Sequence, residues 1–139
     1  MTQPYKAAVT ALGGRSGFAA SSDGRLRVEL SIPAVLGGAD GPGTNPEQLF
    51  AAAQAASLLA AIRNVAQARG VEVPADSNVT ATVGVAGAAG TAAKLSVAVA
   101  VDLPCIDIEE ARQIVAEAMR ACPIALATGE RAPPVVNVD

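Results

Sequence analysis

The chain has 139 residues, of which 51% are hydrophobic and only 2% aromatic, and ten basic against thirteen acidic side chains give a net charge of −3. This suits a single globular domain spanning 1–139, with a core of Ala, Val, Leu and Ile; it excludes a disordered chain and argues against a nucleic-acid partner. The chain has no His, which rules out Ser-His-Asp and Cys-His catalysis and His-ligated zinc, and its two cysteines, Cys105 and Cys122, cannot hold a metal alone.

Met1 to Tyr5 has neither a basic region nor an apolar core of the signal-peptide kind. The longest apolar stretch, Leu49 to Ile62, is interrupted by Gln54 and Ser57 and followed by Arg63, short of a membrane span. A cytoplasmic protein with reduced thiols and no membrane partner is therefore expected.

In chain order, Lys6 to Leu12 predicts a strand, and Gly13-Gly14-Arg15-Ser16-Gly17 a loop. A second strand starts at Phe18, and Ser22-Asp23-Gly24 is a turn. Arg25 to Ser31 alternates, with Leu26, Val28 and Leu30 on one face and Arg25, Arg27 and Glu29 on the other, as a half-buried strand does. The first third is thus an antiparallel meander. Ile32 to Asn45 holds four Gly and two Pro and predicts a long loop.

Thr44-Asn45-Pro46-Glu47 starts a helix. Thr44 and Glu47 have capping-box spacing, Asn45 is an alternative cap, and Pro46 suits the first turn. The helix should run to Arg69 and stop at Gly70. Its middle is apolar nearly all round and rich in Ala, which predicts a central helix buried on most sides. Val79 to Val85 and Leu95 to Leu103 both alternate and predict a hairpin turning at Gly87 to Gly90. Asp107 and Glu110 open a second helix to about Ala121, with Ile108, Ala111, Ile114, Val115, Ala118 and Met119 as its apolar stripe. Cys122-Pro123 ends it, and Val135 to Val138 forms a short closing strand. The class is α+β.

Cys105 and Cys122 flank a helix of roughly 22 Å, whereas a disulfide needs Cα atoms within about 7 Å, so no bond between them is expected. Cys105 reads as a packing residue of the strand-to-helix corner. By themselves, Arg15 reads as a surface cation, Glu47 as a first-turn helix acid, and Ser57 as a small residue for close packing.

Five segments together carry a resemblance: Gly13-Gly14-Arg15-Ser16-Gly17, Ser21-Ser22-Asp23-Gly24, Leu36-Gly37-Gly38, Gly43-Thr44-Asn45-Pro46-Glu47-Gln48-Leu49-Phe50-Ala51-Ala52, and Ala121-Cys122-Pro123. From Val9 to Val138 the chain resembles the organic hydroperoxide resistance (Ohr) branch of the OsmC family. The resemblance implies an OsmC/Ohr-like fold, with antiparallel sheets around the central helix, in an intertwined homodimer with two active sites at the subunit interface. It implies a thiol peroxidase of the oxidative stress response that reduces organic hydroperoxides, with lipoyl-type dithiols as reductant and no bound cofactor. Carried over by position, Arg15 and Glu47 are the residues that activate thiolate and peroxide. Cys122 is the resolving cysteine, and the peroxidatic cysteine falls on Ser57.

A hydroxyl fills nearly the volume of a thiol but supplies neither a thiolate nor a sulfur that can become a sulfenic acid. The chain's own peroxidase activity is therefore in question. Either a deliberate Cys-to-Ser replacement or divergence of the chain accounts for Ser57. Ala53-Gln54-Ala55-Ala56-Ser57-Leu58 stands where the family has aromatics, and Cys122-Pro123-Ile124-Ala125 where it has Cys-Pro-Tyr-Ser, which weighs towards divergence. The alternative function is a non-catalytic binder of a small lipophilic ligand in a pocket near Leu36, Phe50 and Ser57.

On one helix Glu47 and Ser57 are separated by roughly 15 Å of rise and about 80° of rotation. A Glu side chain cannot close that gap. The expected site is therefore composite, with Ser57 and Cys122 from one subunit and a partly buried Arg15–Glu47 ion pair from the other.

Overall fold

The computed structural model describes residues 3–86, 94–127 and 133–138. They fall into two compact units, Met1–Leu49 and Phe50–Asp139. In the first unit, strands β1 (Val9–Leu12), β2 (Phe18–Ser21) and β3 (Arg27–Glu29) form an antiparallel meander. The alternation read from Arg25 to Leu30 sets its sides: Leu26 and Val28 are half-buried, Leu30 is buried, and Arg25, Arg27 and Glu29 are exposed. The Ile32–Asn45 loop contains one short 3-10 turn, Ala34–Leu36. Its end is tied to β3, because Thr44 N–H donates to the Glu29 carbonyl at 2.8 Å and Ser31 N–H to the Thr44 carbonyl at 2.9 Å.

Helix α1 (Pro46–Ala68) begins in the first unit and continues into the second. Asn45 is the operative cap: its Oδ1 accepts from the Gln48 N–H at 2.8 Å, while Thr44 donates from Oγ1 to the Gln48 side chain. Gly70 stops the helix at φ 71°, a left-handed conformation that a β-carbon disfavours. The composition predicts burial on most sides, but α1 buries one stripe only: Gln54, Leu58, Ile62 and Ala66. Alanine counts as apolar on every face, so the sequence does not reveal that Ala52, Ala53, Ala56 and Ala60 are exposed. For the same reason α1 meets the length and composition of a membrane-spanning helix, with a mean hydropathy of 1.4, although Leu58, Ile62 and Ala66 are sealed in a protein core.

The second unit pairs β4 (Asn78–Ala86) and β5 (Lys94–Asp102) antiparallel, in a register running from Asn78 opposite Asp102 to Ala86 opposite Lys94. The expected Gly87–Gly90 turn lies outside the described residues. The closing strand β6 (Val135–Asn137) pairs parallel to β5, so this sheet is mixed rather than purely antiparallel. Val97, Val99 and Val101 of β5 face the core with the α1 stripe. Helix α2 (Ile108–Ala121) adds Ala111, Ile114, Val115 and Ala118, and a short helix α3 (Pro123–Ala127) adds Ala125. Arg69, just beyond α1, forks onto Glu110 of α2 at 3.0 and 3.2 Å and also donates to Gln113 at 2.7 Å.

The corner before α2 buries Leu103, Pro104 and Ile106 and turns Cys105 outward at φ 66°. The packing role expected for Cys105 is therefore taken by its neighbours. Asp107 caps α2, accepting from the N–H groups of Glu109 and Glu110 at 3.1 and 3.2 Å. Asp107→Ala should lower stability by about 1 kcal/mol, the usual cost of losing such a cap, measured by urea denaturation.

Candidate functional site

The four residues singled out by sequence fall into two pairs, one in each unit. In the first unit, Arg15 is presented by the loop between β1 and β2. Gly13 and Gly14 hold φ 76° and 63°, and a β-carbon at Gly17 would collide with the Leu12 carbonyl, so the glycines set the loop's course. Arg15 reaches Glu47, in the first turn of α1, through two parallel hydrogen bonds: Nη2 to Oε1 at 2.6 Å and Nη1 to Oε2 at 3.1 Å. The expected ion pair is thus formed within one chain, in the fork geometry that suits guanidinium and carboxylate. Glu47 is spent on Arg15 rather than on closing a capping box with Thr44.

Arg15 keeps 43% of its side chain exposed and Glu47 15%, so water screens the cationic side and the pair is worth at most about 1 kcal/mol. The Arg15 hydrogen bond holds the Glu47 carboxyl below its ordinary value, and Glu47 in turn raises Arg15. A carboxyl lowered by folding contributes stability that is fully present above its ordinary value of 4.5 and drains away as pH falls through the lowered value. Glu47→Gln should therefore be less stable than the parent at pH 7 by up to about 1 kcal/mol, and the gap should close below pH 4.5. Urea denaturation over a pH series checks this; a gap that persists in acid would assign the effect elsewhere.

In the second unit, Ser57 lies midway along α1 and Cys122 sits between α2 and α3. Their side-chain tips meet: Ser57 Oγ and Cys122 Sγ share a hydrogen bond at 3.1 Å. Cys122 is fully buried, whereas Ser57 is half-buried. Two residues 65 positions apart are brought together because α1 and α2 pack their apolar stripes into one core and Cys122 directly follows the α2 stripe. Both cysteines are free thiols.

One neighbour escaped the sequence reading. Gln54, three residues before Ser57, is fully buried, and neither its Nε2 nor its Oε1 has a hydrogen-bond partner. A buried polar group left unpaired costs about 1–3 kcal/mol. The signal in the sequence was there: a single carboxamide in an Ala-rich run, one helical turn from Ser57.

With this geometry in view, the OsmC-like protein family matches residues 37–137. An organic hydroperoxide resistance protein of Xanthomonas axonopodis pv. citri is 42% identical over 127 residues, covering 89% of this chain and 87% of that protein. The crystal structure of an organic hydroperoxide resistance protein from Elizabethkingia anophelis, with crystallant-derived thiocyanate bound, superposes with a TM-score of 0.89 at 33% identity, covering both chains fully. The organic hydroperoxide resistance protein OhrB of Bacillus subtilis gives 0.81 at 34% identity, covering 97% of this chain and 98% of that one. The α+β fold, with its helices and two small sheets, is that of these proteins, and the chain belongs to the OsmC-like family, among its organic hydroperoxide resistance members.

Proposed function

We propose that this chain is a thiol-peroxidase scaffold of the organic hydroperoxide resistance type in which Ser57 occupies the peroxidatic position and Cys122 the resolving one. The observation that carries the reading is the 3.1 Å contact between Ser57 Oγ and Cys122 Sγ. A sulfur at position 57 would have Cys122 within reach of a disulfide after a small side-chain rotation. In that chemistry a thiolate takes the terminal oxygen of ROOH, the O–O bond breaks, and ROH leaves after gaining a proton. The sulfenic acid then condenses with the Cys122 thiol, losing water and forming the S–S bond. Two electrons from a dithiol of the lipoyl type reopen it.

Ser57 removes the first step. Its hydroxyl stays protonated at neutral pH and does not accept an oxygen atom. The chain should turn over tert-butyl hydroperoxide with dihydrolipoamide at least about a thousandfold more slowly than its Ser57→Cys variant, a loss of the size seen when a nucleophile is deleted. Peroxide treatment of that variant should produce a bond from the introduced thiol to Cys122, read by mass spectrometry of the digest. A variant with neither turnover nor bond would refute the reading.

The same proposal makes 1–139 one functional domain that works as a homodimer. The exposed Ala52, Ala53, Ala56 and Ala60 support it, since small side chains let a second helix come close. So do the apolar residues left in the open on β1 and β2: Val9 at 50%, Leu12 at 57% and Phe18 at 40% exposure. Each subunit would lend its Arg15–Glu47 pair to the other's Ser57–Cys122 pair. Obligate dimers bury upwards of about 2,000 Å². Sedimentation at micromolar concentration should give a dimer only; a folded monomer would overturn this part.

A further inference from the structure

We infer that the Gln54 carboxamide is a ligand-binding group of the Ser57–Cys122 site, and that it takes the O–H head of a small organic hydroperoxide or of the alcohol formed from it. The inference rests on the reading that this site accepts an organic hydroperoxide. Gln54 is fully buried, yet both ends of its amide are unpartnered. It precedes Ser57 by three residues, a spacing that puts neighbouring β-carbons about 5–6 Å apart on one helix face. Ser57 is half-buried, and Ala53, Ala55 and Ala56 add little bulk around it.

A carboxamide both donates, from Nε2, and accepts, at Oε1. An –OOH or –OH group does the same through one oxygen and its proton, so it can satisfy both ends of the amide. An ether or dialkyl peroxide only accepts and would leave Oε1 unpaired. Buried polar groups are normally satisfied, and nothing among the described residues of its own chain satisfies this one.

The test uses the chain as it stands and two redox-inert probes, 2-phenyl-2-propanol and its methyl ether, titrated by calorimetry or NMR. The parent should bind the alcohol about tenfold more tightly than the ether, a difference of ~1.4 kcal/mol. Gln54→Met, which keeps length and volume, should bind both alike while melting no lower than the parent. Gln54→Leu serves if the first variant does not fold. The inference fails if the parent binds neither probe or does not distinguish them, as when Gln54 holds only a water. It also fails if the methionine variant still prefers the alcohol. Ser57→Cys turnover reports separately on the peroxidase reading. Turnover without probe discrimination sinks the Gln54 role alone, and discrimination without turnover sinks the peroxidase reading alone.

Discussion

The stripe Gln54, Leu58, Ile62 and Ala66 fixes the rotation of α1 about its own axis, and the contents of the candidate site follow from that rotation. A helix turns 100° per residue, so a slip of one position would carry Ser57 away from Cys122. Leu58 and Ile62 hold the setting because no other apolar residues on α1 are both large and fully buried. Their alanine neighbours are too small to compete for the same space. The α2 stripe, from Ala111 to Met119, does the same for Cys122, which follows it at the helix end. The 3.1 Å contact is therefore a product of two helix registers locked into one core.

This locking is indifferent to the element at position 57. The hydroxyl beside Cys122 supplies a conventional hydrogen bond where a thiol would offer a weak one. Fold and chemistry separate at this residue: the former depends on volume and burial, the latter on ionisation and on the ability to take an oxygen atom. The Arg15–Glu47 pair behaves likewise, since its fork geometry needs only the glycine loop and the tether of Thr44 to β3.

What was legible in the sequence was local. Asp107 caps α2 because its own side chain reaches N–H groups two and three residues on, and the alternation from Arg25 to Leu30 needs no distant partner to be seen. What was hidden was non-local. Val135 to Val138 reads as a strand, but nothing in it says that β6 will lie parallel to β5. The exposed face of α1 was hidden because alanine is neutral between core and surface. Cys105 was misplaced because its direction depends on a backbone turn at positive φ that the sequence around it does not announce. Arg15, Glu47, Ser57 and Cys122 came as a set from the family resemblance. Spacing alone would have left Arg15 a surface cation and Ser57 a small packing residue.

The two polar features of α1 differ in what they ask of their surroundings. Ser57 is satisfied by Cys122 and needs nothing further. Gln54 has two unmet groups in a place where water does not reach the surface of the side chain. If position 54 mattered only for filling space, methionine or leucine would fill it at lower cost, because neither brings an amide that must be desolvated. If it mattered only for the helix, alanine would serve better still, as it does at Ala53, Ala55 and Ala56. A carboxamide there is favoured by neither packing nor propensity. A ligand hydroxyl entering the site would supply the hydrogen bonds that neither packing nor propensity gives this residue.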